Sequence, residues 1–146
     1  MTMLAVDVEE LCVALEGDAP DARWFFDCET GDVLLINSEY EPAENRGLTE
    51  AEIESNPIRF KPVPPAQHEA LTDMRAFVNE IKDATLRDSL ALALSAPKPD
   101  RRFRAVLGWL PAELEHWRTF RHQQMEKRAH QWLQSLGIEA KAREER

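Results

Sequence analysis

The chain has 146 residues, 43% hydrophobic and 31% charged, with a formal net charge of −9. One domain of that length buries roughly 70% of its unfolded surface, and no apolar run approaches the roughly 20 residues of a membrane span. The negative total excludes indiscriminate attraction to nucleic acid or to an anionic bilayer.

The charge is segregated along the chain. Residues 1–57 hold 2 Lys/Arg against 15 Asp/Glu, a net of −13, whereas residues 58–146 hold 16 against 12, a net of +4. Met1-Thr2-Met3-Leu4 places no basic segment ahead of an apolar core, so no signal peptide is expected. Cys12 and Cys28 stand outside any C-x-x-C or zinc-type spacing and are expected as free thiols, which points to the cytoplasm.

Asp7 with Glu10 forms a capping box, and Val8, Leu11, Cys12 and Leu15 follow at helical spacing before Gly17, predicting a helix over 8–16. Arg23–Cys28 and Val33–Ile36 read as strands joined by Glu29-Thr30-Gly31, with Gly31 supplying positive φ. Residues 38–56 form an acidic surface loop, with a short helical turn after the Thr49/Glu52 capping box. Ile58–Val63 alternates apolar and basic residues; Pro62 lacks an N–H and places this third strand at an edge.

Beyond Pro64-Pro65 the pattern turns helical. Leu71, Met74, Phe77, Val78 and Ile81 share one face, and Asp83 caps a second helix with Leu86, Leu90, Ala93 and Leu94 inward. After the break at 96–99, a helix over 101–110 carries Phe103, Val106, Leu107 and Leu110 and stops at Pro111. A last helix over 112–136 ends at Gly137, and the charged tail 138–146 is expected to fray. The expectation is a single α+β domain: a small antiparallel sheet, made of a hairpin and an edge strand, packed by about five helices, with an all-helical C-terminal half.

Several blocks together carry a resemblance. They are the hairpin Trp24-Phe25-Phe26-Asp27-Cys28-Glu29-Thr30-Gly31-Asp32-Val33, the segment Pro64-Pro65-Ala66-Gln67-His68-Glu69, and Arg101-Arg102-Phe103-Arg104-Ala105-Val106-Leu107. Trp117-Arg118-x-Phe120 and Arg128-Ala129-x-x-Trp132-Leu133-x-x-x-Gly137-Ile138 complete the set. Over nearly its whole length the chain resembles the bacterial group called Uncharacterised Protein Family 0158. The resemblance implies an intracellular bacterial protein and supplies no activity, cofactor or catalytic residue.

Steps of about 100° along the last helix bring Trp117, Arg121, Arg128 and Trp132 onto one arc. Guanidinium planes stack on indoles and fork onto carboxylates, so the arc suits an oxyanion or an acidic partner. The plainer reading is that Arg121 and Arg128 edge the core and pair with hairpin carboxylates such as Asp27 or Asp32. Arg101, Arg102 and Arg104 cluster at a helix start, beside Asp100, either as an anion or partner site or as a solvated cluster. Arg118 extends this basic set. His122, Glu126 and His130 fall at i, i+4, i+8, but three ligands over two turns of one helix reach a single ion poorly, so they read as a polar stripe.

Neither a Gly-x-Ser-x-Gly elbow nor a phosphate-cradling glycine loop is present. The sequence therefore calls for no cofactor, metal or catalytic residue. It favours a small protein-interaction or regulatory module, or a self-associating one, that acts through the C-terminal Arg/aromatic block. The alternative is a nucleic-acid module using Arg101, Arg102, Arg104, Arg118 and Arg121 with Trp109 or Trp117 as stacking surfaces. A third reading is an enzyme acting on a phosphorylated small molecule, with His68 or Glu69 as base. No membrane association is expected.

Overall fold

A computed structural model describes residues 2–17, 21–65 and 69–142. The fold is α+β and resolves into two compact units, residues 1–67 with 125–146, and residues 68–124.

The first unit opens with strand β1 (Thr2–Val6) and helix α1 (Val8–Glu16). The Asp7 side chain accepts the Glu10 N–H at 3.1 Å, and Gly17 closes the helix in the left-handed region at φ 45°. Strands β2 (Arg23–Asp27), β3 (Val33–Ile36) and β4 (Phe60–Pro62) form an antiparallel sheet in the order β3-β2-β4, with Pro62 on an edge strand.

The hairpin turn is one residue longer than the expected three. Cys28 leaves the β2–β3 ladder because its N–H donates to Arg59 O on the opposite edge (2.9 Å), and the Asp27 N–H closes the turn onto Asp32 O (2.9 Å). Gly31 sits at φ 81°, where an added Cβ would lie 2.2 Å from Ala5 O of β1.

Alternation along β2 sends successive phenylalanines to opposite faces. Phe26 joins Leu11, Cys12 and Leu15 of α1 with Met125, Ala129 and Leu133 of the last helix. Phe25 faces Leu34, Ile36, Phe60 and Ile53. Ile53 is 1% exposed and belongs to α2 (Glu50–Glu54), which Thr49 caps. With Tyr40 and Leu48 it lids this face, and Tyr40 Oη donates to Leu48 O (2.6 Å). The acidic segment thus sends its apolar side chains inward while its carboxylates face out; it also contains a short 3₁₀ turn, Pro42–Asn45.

The tail is a correction. Residues Ile138–Ala142 form β5, parallel to β1 in the register Thr2↔Ile138 to Val6↔Ala142, and Ile138 is 4% exposed. Pairing satisfies the backbone that an unpaired tail would leave to water; residues 143–146 lie outside the described residues.

The second unit is helical: α3 (Ala70–Glu80), α4 (Ala84–Ser95), α5 (Pro99–Leu107) and the first part of α6 (Pro111–Ser135). Asp83 caps α4 through the Thr85 and Leu86 N–H groups. α5 and α6 each start on a proline, the residue best suited to a first helical position, so both begin ahead of the expected boundary. Met74, Phe77, Leu90, Phe103, Leu107, Trp117 and Phe120 form the core. α6 runs through both units, contributing Trp117 and Phe120 to this core and Met125, Ala129 and Leu133 to the other. No helix among the described residues is long and apolar enough to cross a membrane.

Candidate interaction surface

The eight expected site residues divide between core and solvent. Trp117 is 5% exposed, edge-on to Phe77 and Phe103 and stacked on Phe120. It is a core residue and no longer a stacking platform. Trp132 is half-buried and meets Phe26 edge-on, with ring centroids 5.8 Å apart, in the other core. The two tryptophans of the expected arc therefore hold two separate cores.

Arg121 and Arg128 are half-buried. Arg121 Nε is buried without a hydrogen-bond partner among the described residues, and one terminal nitrogen of Arg128 lies 4.0 Å from Met125 Sδ. Asp27, offered above as their counter-ion, is taken by a different arginine. Arg59 donates Nε and a terminal N–H to its two oxygens at 3.0 and 2.9 Å, while the backbone N–H groups of Glu29 and Thr30 donate at 2.9 and 3.4 Å. Burial alone raises the Asp27 carboxyl; the Arg59 and backbone bonds outweigh it and hold the group below its ordinary value. Bonding to Asp27 raises the Arg59 guanidinium in turn, and the guanidinium also lies over the Phe60 ring at 4.8 Å. Asp32 is bridged by Arg46 at 3.6 Å.

The exposed members are Arg101, Arg102, Arg104 and Arg118. Buried Phe103 and Leu107 anchor α5, so Arg101 and Arg104 project from its outer side. Arg102 turns toward α4, and its Nε donates to Pro97 O at 3.0 Å. Arg118 pairs with Glu115 one turn back (3.4 Å). Trp109, just past α5, is 87% exposed. Two grooves flank α4, each with a single arginine: Arg75 with Val78, Asn79, Ala91, Leu94 and Ser95, and Arg102 with Ser89, Leu92, Ala93, Ala96, Ala105 and Val106. Neither groups arginines around a candidate base, and His68 lies outside the described residues. His122 and Glu126 are half-buried, and His130 is exposed.

Cys12 is buried in the first core, its thiol pushed up to about 12 by desolvation and by Glu9, Glu126, Glu16 and Asp7. Cys28 is half-buried and raised by desolvation; both thiols are free.

These features define an α+β protein with a cationic helix on its surface. The chain belongs to the Uncharacterised protein family UPF0158, whose model matches residues 1–146. It is similar to UPF0158 protein PA5073 of Pseudomonas aeruginosa, 29% identical over 145 residues, covering 99% of this chain and 91% of that protein. No solved structure matches.

Proposed function

We propose that the protein is a cytoplasmic protein-binding module whose α5 surface recognises an acidic patch on a partner. The observation that carries this reading is a nine-residue helix with three arginines and one aspartate, in which Arg101 and Arg104 are exposed although the chain as a whole is strongly acidic. An Arg-bearing first turn works against the helix dipole by a few tenths of a kcal/mol up to about 1 kcal/mol, and a partner's carboxylates offset that cost. Arg118 and the indole of Trp109 are exposed as well, and arginine and tryptophan are the side chains most enriched at binding hot spots. The cytoplasmic location rests on the two free thiols.

Affinity retrieval at low and high salt, with nuclease treatment, tests the reading. One protein retained by wild type at low salt, released by high salt and lost from the Arg101→Glu/Arg104→Glu variant supports it. Retention that nuclease abolishes indicates nucleic acid instead, read by the same arginines with Trp109 as the stacking ring.

A further inference from the structure

β1 and β5 form a parallel, two-stranded sheet of their own. The Thr2 N–H donates to Gly137 O at 2.9 Å, which fixes the parity of the ladder. In the register Thr2↔Ile138, Glu139 and Lys141 turn their N–H and C=O groups toward β1. Ile138, Ala140 and Ala142 turn theirs to the far side, where no strand pairs with them among the described residues. The other edge of this sheet is covered, because Ala5 O points away from β5 and lies against the hairpin turn at Gly31. β5 is therefore the open edge, with donors and acceptors left to water or to another strand.

Its side chains alternate in the same way. Ile138 and Ala140 pack against the first core, while Glu139 and Lys141 are exposed. Opposite charges two residues apart make this edge self-complementary. When two such strands run antiparallel about Ala140, that residue meets its own copy and exchanges both backbone bonds, and Ile138 meets Ala142. Glu139 of each strand then stands opposite Lys141 of the other. These are the non-hydrogen-bonded positions, where Cα atoms approach to about 4.5 Å and facing side chains are closest. A slip of two residues keeps the bonds but sets Glu139 against Glu139, or Lys141 against Lys141.

We infer that β5 pairs with β5 of a second copy, joining two molecules through a continuous sheet ordered β1-β5-β5-β1 with a two-fold axis at Ala140. An isologous interface must present each group and its complement at two-fold-related positions, and Glu139 and Lys141 do so. The union also extends a two-stranded sheet, which is marginal alone. A strand of another protein would satisfy the backbone, but a second copy answers both charges in the register that the hydrogen bonds require. The inference stands apart from the α5 reading, since β5 and α5 belong to different units.

Sedimentation equilibrium of the full chain tests it. Wild type is expected as a dimer. Glu139→Lys and Lys141→Glu, both at exposed positions, each set like charges across the join and weaken dimerisation about tenfold. Mixed in equal amounts, the two variants are expected to form heterodimers, because every facing pair is then of opposite charge. Ala140→Pro removes an N–H that β1 does not use and is expected as a monomer with unchanged circular dichroism. The exposed charge variants decide the matter if Ala140→Pro unfolds. The inference is overturned if wild type stays monomeric to about 1 mM, the weak limit of specific association. It is equally overturned if folded Ala140→Pro or the charge variants dimerise like wild type, or if the mixture associates no better than either variant alone. Uptake of an unrelated strand at this edge by a chain that stays monomeric overturns it too.

Discussion

Asp27 and Arg59 clasp each other through two parallel N–H···O bonds of 2.9 and 3.0 Å, and the carboxylate end of the pair is 2% exposed. The pair ties β2 to the approach to β4 and anchors the hairpin turn, because the same carboxylate accepts the Glu29 and Thr30 N–H groups. Arg59→Met leaves that carboxylate buried without its cation and is expected to cost about 3 kcal/mol in urea unfolding. Because Asp27 sits below its ordinary value of 3.8 when folded, its contribution is present above that value and is lost as pH falls through the folded one. Asp27→Asn should therefore lower stability at neutral pH and flatten the acid limb of the stability–pH curve below about pH 4.

Gly31→Ala should destabilise by at least about 2 kcal/mol, since φ 81° strains any L side chain and the new methyl meets backbone rather than a movable tip. Gly47 is also at positive φ, 81°, but nothing lies within 4 Å of a Cβ there. Gly47→Ala carries the strain without the collision, so the difference between the two midpoints isolates the close approach of β1.

Much of this architecture is legible in the sequence wherever its cause is local. Asp7, Thr49 and Asp83 each cap the helix their spacing announces, and the aromatic run Trp24-Phe25-Phe26 announces β2. The β1–β5 pair is not legible. A parallel pairing has no turn to signal it, and Ile138-Glu139-Ala140-Lys141-Ala142 consists largely of residues that strands disfavour. The same limit hides the arginine pairing: a helix wheel places Arg121 and Arg128 on an aromatic side, but only the register of β4 shows that Arg59 reaches Asp27 first.

Ile138→Ala is expected to cost about 2–4 kcal/mol, the range for truncating a buried isoleucine, because the residue both opens β5 and packs in the first core. A loss below about 0.5 kcal/mol in chemical denaturation would contradict β5 as a packed strand.

Trp117→Ala should cost about 3–5 kcal/mol by emptying the centre of a ring cluster made with Phe77, Phe103 and Phe120. Trp109→Ala, at a side chain 87% exposed, should leave unfolding within about 0.5 kcal/mol of wild type. The contrast assigns one tryptophan to the fold and leaves the other for binding.

Cys12 should resist thiol reagents. With the thiol pushed up to about 12, roughly one molecule in ten thousand carries the thiolate at pH 8, and raising the pH increases that fraction tenfold per unit. Native protein is expected to release colour from an aromatic disulfide reagent without modification of Cys12, and denatured protein to react at both thiols. Mass mapping of the labelled cysteines checks this.

Paired measurement of thermal unfolding and partner retention on the Arg101→Glu/Arg104→Glu variant is the most direct trial of the binding role of α5. The account predicts an unfolding temperature within a degree or two of wild type, since exposed charges contribute little to stability, together with loss of the retained protein. A variant that melts markedly lower, or that keeps its partner at low salt, would contradict it.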